Sequence, residues 1–145
     1  MTNELTIRTA DLVDARALAE LMTQLGYPTS QEKMSDRLAA IFTDPDYVTF
    51  VAEDRGKVVG MVGAAVLKYY EKNGVYGRVL TLVIDEARRG EGIGSLLIAE
   101  TEKWLRDRSA SYSIINCGKH RKDTHLFYEH RGYEATGLRF VKALS

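Results

Sequence analysis

The sequence predicts a mixed α/β fold, in which a central mixed sheet carries helices on both faces. Short apolar runs rich in β-branched residues alternate with longer segments whose apolar residues recur every three or four positions. Two turn signals, Asp54-Arg55-Gly56 and Asn73-Gly74, separate successive β-rich runs in the first half of the chain, as in antiparallel hairpins. In the second half a helix follows each strand, which is the connection that parallel neighbours need.

The predicted order is one strand, two helices, three strands, a helix, a strand, a helix and a strand. Their approximate bounds are 4–9, 12–25, 30–42, 47–53, 57–68, 79–84, 93–107, 112–116, 122–131 and 133–141. Gly60 and Gly63 lie inside the third strand, where glycine predicts a bulge or a closely approaching neighbour.

Start and stop signals bound the first two helices. Asp11 or Thr9 suits the N-cap of the first helix, and Gly26 ends it. Thr29 followed by Glu32 three residues later has the pattern of a capping box, so we expect Thr29 to cap the second helix.

Length and composition indicate one globular unit. At 145 residues the chain is long enough for a single domain over 1–145 to bury a sizeable core. Lys plus Arg equals Asp plus Glu at 20 each, so no overall basic field predicts nucleic acid or a membrane as a partner. The single cysteine, Cys117, excludes an internal disulfide, and no apolar leader or long apolar span is present. We therefore expect a cytoplasmic protein, and no metal site is predicted.

A glycine-rich turn connects the most apolar strand to the longest helix. Gly90, Gly92 and Gly94 alternate there, preceded by Arg88 and Arg89. Without side chains the backbone can approach a bulky anion, and the N–H groups of a first helical turn can hold phosphate oxygens. The alternative is a turn that only eases the packing of strand against helix.

Two phosphate-binding patterns do not fit this turn. A Walker loop needs lysine and then Ser or Thr after its last glycine, but Gly94 is followed directly by Ser95. A dinucleotide fingerprint needs two residues between its second and third glycines, whereas one residue separates Gly92 from Gly94.

The turn does match a pattern of Arg or Gln, two residues, Gly, one residue, and Gly or Ala, through Arg89, Gly92 and Gly94. It therefore resembles the acetyl-CoA loop of the GNAT superfamily of N-acetyltransferases. The resemblance implies the GNAT fold, with a sheet of six or seven strands, and acetyl-CoA as cosubstrate. It implies that loop amides hold the diphosphate and that the preceding strand holds the pantetheine arm. The residues so assigned to the coenzyme are Leu82, Val83, Ile84, Arg89, Gly90, Glu91, Gly92, Ile93, Gly94, Ser95, Asn116 and Arg121.

A second segment, His-Leu-Phe-Tyr-Glu-His-Arg-Gly-Tyr at 125–133, resembles the other signature of the same family. The resemblance implies that Tyr128 is the general acid. A phenol with a pKa of about 10 is matched to a leaving thiolate of about 8.5 and stays protonated at neutral pH. The alternative is that Phe127 and Tyr128 are only core aromatics of a short amphipathic helix.

The general base has no assigned residue. Many relatives carry a glutamate on the central strand, but the matching position here is Leu80. The remaining candidates are Glu53, Glu71, His120 and His125.

Three basic residues are candidates for binding the acceptor or the coenzyme's phosphates. The asparagine that many relatives carry seven residues before the tyrosine is Arg121 here. The runs at 120–128 and 133–142 resemble a branch that includes aminoalkylphosphonate N-acetyltransferases and other bacterial small-molecule acetyltransferases. Arg78, His120 and Arg121 would form a basic pocket for a phosphonate or carboxylate, or would lie over the coenzyme's phosphates.

The resemblance thus implies transfer of an acetyl group from acetyl-CoA to a primary amine of a small molecule, by direct attack. Two alternatives stay open: an acyl-CoA sensor that has lost catalysis, and an enzyme that acetylates proteins or peptides. Homodimers are common in the family, so a homodimer is one assembly to test.

Overall fold

The computed structural model describes residues 4–116, 122–137 and 139–144. The chain forms two compact units, Met1–Ile114 and Ile115–Ser145. A single domain over 1–145 therefore stays a prediction.

The first unit is built on a sheet of five strands in the order β1-β2-β3-β4-β5. The strands are β1 Leu5–Thr9, β2 Tyr47–Asp54, β3 Lys57–Lys68, β4 Val75–Ile84 and β5 Ala110–Ile115. Antiparallel pairing joins β1 to β2, β2 to β3 and β3 to β4. Helix α3, Ile93–Asp107, connects β4 to β5, as parallel neighbours require. The predicted fold class is confirmed, with five strands in the described residues against the six or seven expected.

Two further helices, α1 Ala15–Leu25 and α2 Gln31–Phe42, cover the face of the sheet opposite to α3. Val83 packs in a buried cluster with both of them, whereas the Ile84 side chain approaches Gly60 together with Leu97 of α3. Consecutive strand residues point to opposite faces, so α3 lies on the other side. The cluster under α1 and α2 contains Ala15, Leu18, Ala19, Leu21, Met34, Leu38, Val51, Met61 and Val83.

The predicted N-cap residue agrees with the structure at the first helix and differs from it at the second. Asp11 caps a short 3-10 turn, Leu12–Asp14, that leads into α1, and Gly26 ends α1 with a left-handed φ of 115°. The predicted capping role of Thr29 is wrong. Ser30 is extended and its Oγ accepts from the Lys33 amide at 3.2 Å, while the Thr29 hydroxyl donates to the Tyr27 carbonyl.

Both irregularities expected from Gly60 and Gly63 are present. The β3–β4 register passes from Gly63 opposite Thr81 to Ala64 opposite Val79, so Leu80 is an extra, bulged residue of β4. Opposite β2 the register of β3 also shifts, close to Gly60. A Cβ on Gly60 would stand 3.0 Å from Ile84 Cδ1, so this glycine lets neighbouring side chains approach closely.

The second unit contains α4, Lys122–Glu129, followed by a turn in which Gly132 has a φ of 86°. The predicted last strand at 133–141 is wrong for the described residues, because 133–137 and 139–141 have no regular structure. Phe140, Val141 and Leu144 are largely exposed there, so no packing fixes an extended conformation. In the described part of the chain, no helix has the length and apolar character that crossing a membrane requires.

Candidate functional site

The glycine-rich turn after β4 is shaped by left-handed backbone. Asp85 caps a 3-10 turn, Glu86–Arg88, by accepting from the Ala87 amide at 3.3 Å. Gly90 and Gly92 then have φ values of 85° and 84°, a region that residues with a Cβ seldom occupy. These glycines are therefore required by the conformation of the turn itself.

The start of α3 leaves its first amides without protein acceptors. Gly92 is the N-cap residue and supplies no side-chain cap, and the Leu96 amide donates to the Gly92 carbonyl at 3.3 Å. Within the described residues, the amides of Gly92, Ile93, Gly94 and Ser95 donate to no protein acceptor. Ile93 and Gly94 are buried, where an unsatisfied N–H group is costly. Four donors at the positive end of a helix dipole form an arrangement that binds anions.

The two arginines beside the turn have different partners. Arg88 ion-pairs with Asp54 at 2.9 Å and with Glu91 at 3.0 Å, and these carboxylates raise the pKa of Arg88. Arg89 is exposed, its Nε donates to the Ile84 carbonyl at 3.4 Å, and it forms no ion pair in the described residues. Of the two, Arg89 has the charge available for a ligand.

Leu82, Val83 and Ile84 form the last residues of β4, immediately before the turn. They pair with Val62, Met61 and Gly60 of β3, so the strand that leads into the turn is held in a fixed register. The bulge at Leu80 lies two residues earlier, and Leu80 is 51% exposed rather than buried in the core.

Helix α1 also contacts the turn, and no pattern in the sequence predicts this contact. The Gln24 side chain accepts from the Glu86 amide at 2.9 Å and its Nε2 donates to Asp85 Oδ1 at 3.4 Å. A lone glutamine near a helix end carries no distinctive pattern. These contacts fix the entry to the turn from the side of α1.

In the second unit, Tyr128 is 8% exposed on α4. Its ring lies edge-on to Phe127 at 5.2 Å and to Tyr133 at 5.8 Å. The Arg131 guanidinium stacks on the Phe127 ring at 3.7 Å and NH1 donates to the Phe127 carbonyl. Core packing of these aromatics is therefore present, and a catalytic role for Tyr128 stays a prediction.

The other predicted site residues are not part of the glycine-rich turn, and some lie outside the residues that the structure describes. Asn116 follows β5, while His120 and Arg121 lie outside the described residues. Glu53, a candidate base, accepts from Arg8 at 2.7 Å and 2.9 Å, so its carboxylate belongs to a structural ion pair. Among the described residues, no three His, Cys, Asp or Glu side chains gather as metal ligands would.

Comparison with known proteins identifies the family. The model of the acetyltransferase (GNAT) family matches residues 15–133, most of the chain. The chain therefore belongs to the GNAT family, and it is an acyltransferase.

Individual relatives agree with this assignment. The chain is 31% identical to the aminoalkylphosphonate N-acetyltransferase of Salmonella typhimurium over 139 residues, which cover 96% of this chain and 88% of that protein. It is 32% identical to glucosamine 6-phosphate N-acetyltransferase 1 of Oryza sativa, over 77% of this chain and 72% of that protein. A GNAT family acetyltransferase structure from Staphylococcus aureus superposes with a TM-score of 0.84 at 27% identity, covering 97% of this chain and 99% of that one.

Proposed function

We propose that this protein transfers an acetyl group from acetyl-CoA to a primary amine of a small molecule. The observation that carries the proposal is the set of four amides, from Gly92 to Ser95, that no protein acceptor or side-chain cap satisfies among the described residues. A diphosphate offers the negative charge and the several oxygens that such a set of donors binds best.

Each part of the turn has a distinct role in this proposal. The amides of residues 92–95 bind the diphosphate, and Gly90 and Gly92 keep side chains away from it. Arg89 supplies positive charge at the rim, since Arg88 is already paired with carboxylates. The backbone of 82–84 aligns the pantetheine arm, and Asn116 and Arg121 contribute further contacts with the coenzyme.

The bound thioester supplies an activated acetyl group. As the amine nitrogen bonds to the carbonyl carbon, the carbon–sulfur bond breaks and Tyr128 donates its phenolic proton to the leaving sulfur. The amine loses a proton in exchange, so the proton count balances once solvent reprotonates Tyr128. Because Leu80 stands where many relatives carry a glutamate and Glu53 is paired with Arg8, we propose that the amine's proton leaves through water or through one of the other candidates, Glu71, His120 or His125.

The missing carboxylate on β4 also motivates the second candidate, a non-catalytic acyl-CoA sensor. A protein or peptide acceptor is a third. The cytoplasmic location and the homodimer stay predictions from the sequence.

Two measurements, made one after the other, test the proposal. Calorimetry and thermal unfolding with coenzyme A test the turn, since a ligand at a hundred times its dissociation constant adds roughly 2.7 kcal/mol of stability. A screen of small primary amines, read by release of free thiol from acetyl-CoA, then tests transfer. Binding with turnover supports the enzyme, binding without turnover of any amine or peptide supports the sensor, and absence of binding contradicts both.

A further inference from the structure

Arg78 on β4 carries a buried donor that has no hydrogen-bond partner among the residues that the structure describes. Its Nε is buried and has no hydrogen-bond partner, and no ion pair to its guanidinium occurs in the described residues. The side chain as a whole is half-buried, so part of it remains open to solvent. Burying a charged donor without a partner is costly, and such an atom in a folded protein calls for a ligand or a bound water.

The register of β4 assigns Arg78 to the face away from α3. A Cβ on Gly77 would stand 2.9 Å from Leu105 Cγ, so the Gly77 position faces α3. Consecutive strand residues alternate, so Arg78 points to the face that α1 and α2 cover. The bulge at Leu80 shifts this alternation by one, which puts Val83, a member of the α1–α2 core, on the same face as Arg78.

The residue that pairs with Arg78 on the neighbouring strand is small. This residue is Ala65 of β3, which has only a methyl side chain. Arg78 also precedes Leu82, where the proposed pantetheine-binding segment begins, by four residues, which is roughly 13 Å along a strand. Arg78 therefore lies on the same strand as the segment proposed to align the coenzyme, and upstream of that segment.

We propose that Arg78 binds an oxyanion of the acceptor, so that the favoured substrates are short primary amines bearing a phosphonate, phosphate or carboxylate. The guanidinium fork matches these planar or tetrahedral oxyanions by paired hydrogen bonds, which a neutral amine does not provide. This assignment rests on the proposed function and concerns the acceptor alone, so binding of coenzyme A does not depend on it.

Steady-state kinetics with three acceptors tests the assignment: 2-aminoethylphosphonate, β-alanine and n-propylamine, which has no anionic group. In the wild type we expect kcat/KM for one of the two anionic acceptors to exceed that for n-propylamine by roughly tenfold or more. In Arg78→Gln we expect this advantage to fall by roughly tenfold, mainly through KM, with n-propylamine changed by less than about threefold. The phosphonate and carboxylate arms identify which oxyanion is preferred.

Calorimetry with coenzyme A on every variant separates this assignment from the proposed function. Arg106→Gln, an exposed arginine on α3, is the matched control and should leave all three acceptors unchanged. If Arg78→Gln fails to fold, Arg78→Lys decides, because it keeps the charge but loses the fork and should lose part of the anionic preference. A wild type that binds coenzyme A without preferring anionic acceptors, or an equal loss for all three acceptors, overturns the role of Arg78 alone. A wild type that does not bind coenzyme A overturns both proposals.

Discussion

Arg88 Nε donates to both carboxylate oxygens of Glu91, each at 3.0 Å, inside the glycine-rich turn. Its NH2 group also ion-pairs with Asp54 at the end of β2. An acidic side chain next to the proposed diphosphate site is therefore neutralised by an arginine that is itself anchored to the sheet. The pair fixes the turn and limits the repulsion that Glu91 would exert on an anionic ligand.

Substitutions of this pair should change coenzyme affinity in opposite directions. Glu91→Gln removes a negative charge, so we expect coenzyme A to bind roughly threefold more tightly, whereas Arg88→Gln leaves Glu91 and Asp54 unneutralised and should weaken binding by roughly tenfold. Calorimetry at about 0.05 M and 0.5 M salt measures both, and the Glu91→Gln effect should shrink at high salt. Glu102→Gln, from an arginine–glutamate pair on α3, is the control. Equal affinities for all variants contradict the electrostatic role.

Gly92→Ala tests the left-handed start of α3. The substitution forces a side chain onto a φ of 84° and costs roughly 1 kcal/mol of stability. We also expect affinity for coenzyme A to fall by more than roughly tenfold, because the amides of 92–95 lose their arrangement. Gly74→Ala is the matched control for Gly92→Ala, because Gly74 has a φ of 110° and its Cβ would also meet open space. It should lose similar stability in thermal unfolding yet keep its affinity, and parallel losses of affinity in both variants argue against an anion site at residue 92.

The sequence predicts most elements of the first unit because turns and helix ends carry local signals. Gly26 and Asp54-Arg55-Gly56 act through their own backbone conformations, and the structure confirms the helix end and the hairpin. The helix start at Ser30 shows the limit of such signals. Thr29 and Ser30 both suit a cap, and the hydrogen bond from Thr29 to the Tyr27 carbonyl, a contact no pattern reveals, decides between them.

Long-range pairing explains the remaining differences. The bulge at Leu80 depends on register with β3, and the pairing of Glu53 with Arg8 joins residues 45 positions apart. Neither has a sequence pattern of its own. The residues at 133–141 are β-prone, but a strand also needs a paired edge, which their sequence does not specify.

Tyr128→Phe tests the proposed acid. Removing the hydroxyl while keeping the ring should lower kcat by roughly tenfold or more and leave the dissociation constant of coenzyme A unchanged. Tyr133→Phe removes a hydroxyl from a ring 5.8 Å away in the same cluster and serves as the matched control. Thiol-release kinetics on both variants provide the measurement. A Tyr128→Phe enzyme as fast as the wild type assigns the residue to packing alone.

Asp14→Asn tests an ion pair that joins β1 to the start of α1. Asp14 is 6% exposed and accepts from Arg8 at 2.8 Å and 2.9 Å, and this arginine holds the pKa of the Asp14 carboxyl below its ordinary value of 3.8. A lowered folded-state pKa means that the stabilisation is fully present above the unfolded pKa and is lost as the pH falls through the folded value. We expect Asp14→Asn to lose roughly 2 kcal/mol at pH 7 and to show a smaller further loss below about pH 4 than the wild type.

Urea unfolding at several pH values measures this difference. Glu20→Gln is the control, because its pair with Arg16 is at 4.0 Å on the exposed side of α1 and should change stability by less than about 0.5 kcal/mol. If Asp14→Asn and the wild type lose the same stability on acidification, another carboxylate controls the acid response.

Gly77→Ala tests the close packing of α3 on β4. The added methyl would stand 2.9 Å from Leu105 Cγ, and Leu105 is buried, so we expect a loss of about 1 to 3 kcal/mol through overpacking. In a Leu105→Ala background the same change fills vacated space and should cost little, which gives a coupling energy above about 1 kcal/mol in a double-mutant cycle. Gly63→Ala is the control on β3, because its Cβ would meet only the Thr81 methyl at 3.3 Å. Additive losses at positions 77 and 105, measured by urea unfolding, would show that the two positions are not in contact.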